Sequence, residues 1–176
     1  MRRIPGFVFG LVLLCVPPFA FAQQPPPATP FFEISGTYSY VRVGSTSSNY
    51  NGASMSFALN PNHWLGIVGD FGGYHEAVMD GFDSSNLITY LFGPRVSYRS
   101  QERVTPYVQV LFGGAYDTYI ARSALAMTAG GGLDYKVAPH VSLRLAQAEY
   151  LMTRFGQQTQ NNLRISTGIV FSFGEK

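Results

Sequence analysis

The sequence predicts an all-β fold, an eight-stranded antiparallel up-and-down barrel, and three observations carry that prediction. Apolar side chains alternate with small or polar ones in about eight runs between Phe32 and Phe173, the mark of strands with two unlike faces. Longer polar connections alternate with short turns, and no long helical period interrupts them. Charged residues make up only 12% of the chain, about half of what a soluble domain carries, so something other than charge covers part of its surface.

The first residues do not belong to that pattern. Arg2 and Arg3 form a basic start, residues 7–16 form a short apolar run, and Ala20-Phe21-Ala22 supplies a small-x-small cleavage site. The run is too short to span a bilayer, so residues 1–22 read as a cleaved signal peptide. Cleavage removes Cys15, the single cysteine, which leaves neither disulfide nor thiolate chemistry. It also removes two arginines, leaving ten basic against ten acidic residues. A chain so balanced has no electrostatic footprint for nucleic acid. Residues 23–31, opening with "QQPPPATP", read as an extended proline-rich periplasmic spacer, and residues 32–176 as the barrel.

The first, third, fifth and seventh runs begin near Glu33, Trp64, Thr105 and Val141. The second sets Met55, Phe57 and Leu59 against Ser54, Ser56 and Ala58. The fourth sets Tyr90, Phe92, Val96 and Tyr98 against Thr89, Gly93, Arg95 and Ser97, with Pro94 predicting a local bulge because it cannot donate to the ladder. The sixth sets Leu125, Met127, Leu133 and Tyr135 against Thr128, Gly130, Gly132, Asp134 and Lys136. In the seventh, Arg144 and Glu149 fall on opposite faces by strict counting, and one irregularity near Ala146 to Ala148 puts both on the same side. The eighth sets Ile165, Ile169, Phe171 and Phe173 against Arg164, Ser166, Gly168 and Ser172.

The connections 44–52, 75–85, 117–123 and 153–161 read as long polar loops, and 60–63, 100–103 and 138–140 as short turns. Long loops at one end and short turns at the other describe a barrel of the outer-membrane kind. Alternation alone also fits a soluble lipocalin-like ligand carrier, in which the apolar face is inside. The scarcity of charge separates the two. A solvent face of Ser, Gly and Thr over most of eight strands is a poorly charged surface, whereas the same small residues fill a narrow lumen without a void. Tyr38, Tyr40, Trp64, Tyr74, Tyr90, Tyr98, Tyr107, Tyr116 and Tyr135 lie mostly near strand ends, where amphipathic rings meet a membrane boundary. The full prediction is therefore a transmembrane β-barrel preceded by a cleaved N-terminal signal peptide.

The segments "WLGIVGDFGGYH", "YLFGPRVSYR", "PYVQVLFGGAY", "AGGGLDYKV", "SLRLAQAEYLMTRF" and "GIVFSF" resemble, in order, the strands of the small outer-membrane β-barrel proteins related to the barrel domain of outer-membrane protein A. The resemblance spans residues from about Phe32 to Gly174. It implies an eight-stranded barrel in the bacterial outer membrane, in contact with outer-membrane lipid. It also implies insertion by the barrel-assembly machinery, which reads an alternating last strand ending in an aromatic residue. Ile169, Phe171 and Phe173 match that assembly signal, and Gly174-Glu175-Lys176 departs from it by extending past the aromatic. Such proteins often have no assigned activity, and a monomer is expected.

With the apolar face outward, Glu33, Asp70, Arg95, Asp134, Lys136, Arg144, Glu149 and Arg164 point into the lumen. Unpaired charges there are expensive, so a paired, hydrogen-bonded network is expected. Such a network fills and rigidifies the barrel; the alternative is a narrow ion or small-solute channel whose pairs exchange partners. Catalysis is not expected. His140-Val141-Ser142 has the spacing of a lipid A deacylase pair but lies at a short turn, and Asp80, Asp83 and His75 share one loop without a proteolytic geometry. Gly130-Gly131-Gly132 reads as close packing, and three scattered histidines without cysteine predict neither metal nor cofactor. The polar loops 44–52, 75–85, 117–123 and 153–161 are the places for a surface ligand.

Overall fold

The computed structural model describes residues 29–43, 49–76, 86–118, 121–155 and 158–175; the predicted signal peptide and most of the spacer lie outside them. Eight antiparallel strands follow one another around a closed barrel: β1 (Pro30–Val43), β2 (Asn49–Leu59), β3 (Leu65–Glu76), β4 (Asn86–Ser97), β5 (Val104–Asp117), β6 (Arg122–Ala138), β7 (Val141–Phe155) and β8 (Gln158–Glu175). The last strand closes on the first from Pro30 opposite Glu175 to Val43 opposite Asn162. We call the end holding Pro30 and Glu175 the base and the opposite end the top.

Period-two alternation decides which side chains face which way. Ile67, Phe71, Phe92, Val108, Phe112, Leu125, Ile165, Ile169 and Phe171 are exposed on the outer wall, while Ser35, Ser39, Ser54, Ser56, Thr128 and Ser166 are buried within it. The large apolar side chains face out and the charges face in, so the soluble-carrier arrangement does not hold. A closed ladder satisfies every strand's backbone groups without an edge, which is the condition for crossing hydrocarbon with strands.

The interior is not uniformly polar. Val41, Leu87, Ala115 and Ala124, each within two residues of a strand's top end, join Leu91, Leu111 and Leu151 in one buried apolar cluster. The same cluster takes in Ala58 and Val68 toward the base, so apolar packing runs along the lumen beside the polar groups, which simple alternation does not predict.

Several expectations are corrected by the register. β1 starts at Pro30, so Pro30 and Phe31 belong to the wall and not to the spacer. Pro94 makes no bulge: β3 pairs through it in constant register, and β4 resumes against β5 at Arg95 in the register it left at Phe92. The long loops are also shorter than predicted. His75 and Glu76 lie in β3, Asp117 in β5, and the segment 153–161 is nearly all strand, with only 156–157 between β7 and β8. β6, β7 and β8 hold 17, 15 and 18 residues, more than the roughly 9–11 that a tilted membrane strand needs. Their polar top ends are therefore wall standing clear of the hydrocarbon, and polar composition there mimics a loop. Gly174 and Glu175, past the terminal aromatic, continue β8.

The irregularity predicted for the seventh run is present one or two residues earlier. Leu133 pairs with Ala146 but Asp134 pairs with Arg144, and β8 shows the matching shift between Arg144 and Gln147. One extra residue in β7 resets the alternation and brings Arg144 and Glu149 to the same side.

Candidate functional site: the charged lumen

The bulge and the alternation together place Glu33, Asp70, Arg95, Asp134, Arg144, Glu149 and Arg164 in the barrel interior, each below 9% exposure. Lys136, expected with them, is exposed at the base rim. It makes no ion pair among the described residues. It lies two positions before the end of β6, where the wall no longer excludes water.

The upper part of the network centres on Arg164. Its Nε donates to Glu149 Oε2 at 2.6 Å, and its Nη1 donates to Asp70 Oδ1 at 2.9 Å and to the Tyr74 hydroxyl at 2.7 Å. A second ion pair joins Nη2 to the same Glu149 oxygen. One guanidinium thus ties β8 to β3 and β7 across the lumen, which suits its planar set of five donors.

The lower part centres on Arg144, whose Nε and Nη2 fork onto Asp134 at 2.9 and 3.1 Å. Its Nη1 donates to Gln147 Oε1 at 3.1 Å and to Ser35 Oγ at 3.3 Å. The Tyr107 hydroxyl donates to the same Gln147 oxygen at 2.9 Å. The Tyr107 ring lies between Arg95 and Arg144, 4.5 and 4.9 Å from their guanidinium carbons. Two cations share one aromatic ring, which offsets their mutual repulsion.

Gln109 joins the two halves. It accepts from Arg95 Nε at 2.9 Å and donates to Glu149 Oε1 at 2.7 Å. Arg95 also pairs with Glu33 Oε2 at 3.5 Å, and Arg99 reaches Glu33 Oε1 at 3.0 Å. Four guanidiniums and four carboxylates therefore belong to one connected, formally neutral structure.

Sequence reasoning missed Arg99, Gln109, Gln147, Tyr74 and Tyr107. Their places near strand ends suggest the membrane boundary for both tyrosines, but they are 2% and 4% exposed inside the barrel. Alternation held the signal: Tyr74 shares a face with Asp70, and Tyr107 shares one with Gln109. Glycines make room for both rings. A Cβ at Gly72 would stand 2.5 Å from the Tyr74 hydroxyl, and one at Gly132 would stand 2.7 Å from that of Tyr107.

Below the network, the base opens into a cavity of about 70 Å³ lined by Glu33, Arg99, Asp134, Lys136 and His140. That admits a few waters and is far below the several hundred Å³ of a small-molecule site. His140 and Ser142 both line it, but no hydrogen bond joins them.

A closed barrel with an apolar outer wall and its charges paired within is a transmembrane barrel of outer-membrane type, and its place is the bacterial outer membrane. Solved structures of that class share the fold. Neisserial surface protein A superposes with a TM-score of 0.63 at 17% identity, covering 81% of this chain and 97% of that one. OprG from Pseudomonas aeruginosa superposes at 0.58 with 8% identity, covering 84% and 97%. No protein-family model and no curated protein matches the chain.

Proposed function

We propose that this protein is a non-enzymatic outer-membrane barrel with a structural or surface-interaction role and a filled lumen. The observation that carries this reading is the connected ion-pair network, in which Arg144 and Arg164 are 2% and 1% exposed. A conducting path needs continuous water. Here the network crosses the middle of the lumen, apolar side chains pack beside it, and the cavity at the base holds only about 70 Å³. The barrel acts as a rigid stand, and what it presents outside are the connections 44–52, 75–85, 117–123 and 153–161, of which the described parts are mostly strand tips.

Planar-bilayer recording with pure, folded protein tests this. The expected result is no discrete conductance steps. Reproducible steps that change in size with Arg144→Ala would replace the filled-lumen reading with a narrow channel.

The chain is inserted by the barrel-assembly machinery through its last strand, in which Ile169, Phe171 and Phe173 are 44%, 45% and 48% exposed on the outer wall. Phe173 packs against Phe32 of β1, with ring centres 6.4 Å apart, at the seam where the barrel closes.

A further inference from the structure

The outer wall differs at its two ends. At the base its outermost side chains are apolar and aromatic: Leu59, Trp64, Tyr98 and Phe173, each about half exposed. At the top the same outward row reads Arg42, Asn51, His75, Asn86, Thr118 and Arg154. The pairings Asn51 with His75 and His75 with Asn86 make part of this row continuous across three strands. No carboxylate shares that row among the described residues.

Its best-formed part is a shallow cleft between β2, β3 and β4. Asn51, His75, Asn86 and Thr118 line its polar side, and Gly73 and Ile88 its apolar side. The floor at Gly73 is open, since a Cβ there would meet nothing within 4 Å. The polar side is held in place: His75 Nδ1 donates to Asn86 Oδ1 at 2.7 Å, the Asn86 amide donates to Thr118 Oγ1 at 3.2 Å, and Thr118 Oγ1 donates to the Asn86 carbonyl at 3.1 Å. This leaves His75 Nε2 and the Asn86 side-chain amide for another partner. Arg42, exposed on the neighbouring β1, makes no ion pair among the described residues.

We propose that this collar binds the phosphorylated sugar headgroup of lipopolysaccharide in the outer leaflet. Amide and imidazole groups suit sugar hydroxyls, guanidiniums suit phosphate, and among the described residues of the row no carboxylate repels an anionic headgroup. The notch at Gly73, beside Ile88, receives the start of an acyl chain. The aromatic base, in turn, suits the smaller headgroups of the inner leaflet. The assignment rests on the membrane placement above, and it fixes the top as the cell exterior.

The test refolds the full chain into phosphatidylcholine vesicles with and without lipopolysaccharide. It reads the temperature at which the compact, unboiled gel band is lost. Lipopolysaccharide is expected to raise that temperature, and the Arg42→Ala/His75→Ala/Asn86→Ala variant to lose most of the rise. Arg42→Ala alone, a change at an exposed side chain, is expected to lose part of it. Phosphatidylglycerol vesicles are expected not to reproduce the rise, nor is dephosphorylated lipopolysaccharide. An equal rise in the triple and single variants, an equal rise with phosphatidylglycerol, or no rise at all would each overturn the proposal. A chain that enters none of these vesicles would instead overturn the membrane placement itself.

Discussion

Arg164 shows how much one side chain can hold in a lumen this narrow. It contacts Asp70 and Tyr74 of β3 and Glu149 of β7 and is 1% exposed. Replacing it with methionine keeps the volume but leaves two carboxylates buried without a cation. Losing one partner of a buried pair costs about 3–5 kcal/mol, and that loss is expected in urea unfolding of the vesicle-inserted protein. Arg164→Lys is expected to recover only part of it, because a point charge cannot fork to both acids. Arg144→Met is expected to cost less than Arg164→Met. Its partner Asp134 is 8% exposed and lines the cavity at the base, which has room for water, so the abandoned carboxylate regains solvent. Gly72→Ala acts from the steric side. Its methyl group meets the Tyr74 hydroxyl and Thr89 Oγ1 at 2.5 and 2.8 Å, and overpacking of this kind costs about 1–3 kcal/mol.

Among the elements, β7 is the informative one, because its function depends on a single extra residue. Strict alternation sends Arg144 and Glu149 to opposite walls, and the bulge at Leu145 and Ala146 reconciles them. Deleting Leu145 removes this shift, leaving the one between Lys136 and Ala138, but turns one of the two charges toward lipid, at a cost that for arginine reaches about 2–4 kcal/mol only at midplane, in addition to its broken pair. The expected outcome is little or no compact band on an unboiled gel, where wild type gives one. This irregularity was legible in the sequence because two charges conflicted with the period. The tips of β7 and β8 were not, because Thr159 and Asn161 are polar for a different reason: they pair in a wall above the hydrocarbon. Pro94 misled in the opposite direction. The ladder with β5 lapses at 93 and 94 yet keeps its register, so the missing donor costs local pairing without a kink. At the end of β8, removing residues 174–176 forfeits, among the described residues, the strand pairing with Pro30, and assembly is expected to survive it. Removing Phe173 takes the aromatic from the seam and is expected to reduce the inserted fraction in outer-membrane preparations.

For the whole molecule, the fold class was legible because closure, lipid and alternation constrain one another: a narrow lumen takes in a few aliphatic side chains, and most large apolar ones in a low-charge chain must face outward. The candidate site was legible as a set of inward charges but not as a network. Which acid meets which base depends on register across the lumen, as when Arg164 of β8 finds Asp70 of β3, and no local sequence signal sets that distance. The connected network also bears on how the barrel enters the membrane. Four cations and four anions cannot cross hydrocarbon singly. Although Arg144 meets Asp134 and Arg164 meets Glu149 on adjacent strands, Asp70 and Glu33 find their arginines far away in the chain. Neutrality is reached only when β8 has curled round to β1 and the opposite walls face each other. Passage through the bilayer is therefore coupled to closure, and each broken pair should lengthen the journey as well as weaken the destination. Asp70→Asn is expected to slow insertion into vesicles, read as the rate at which the compact band appears.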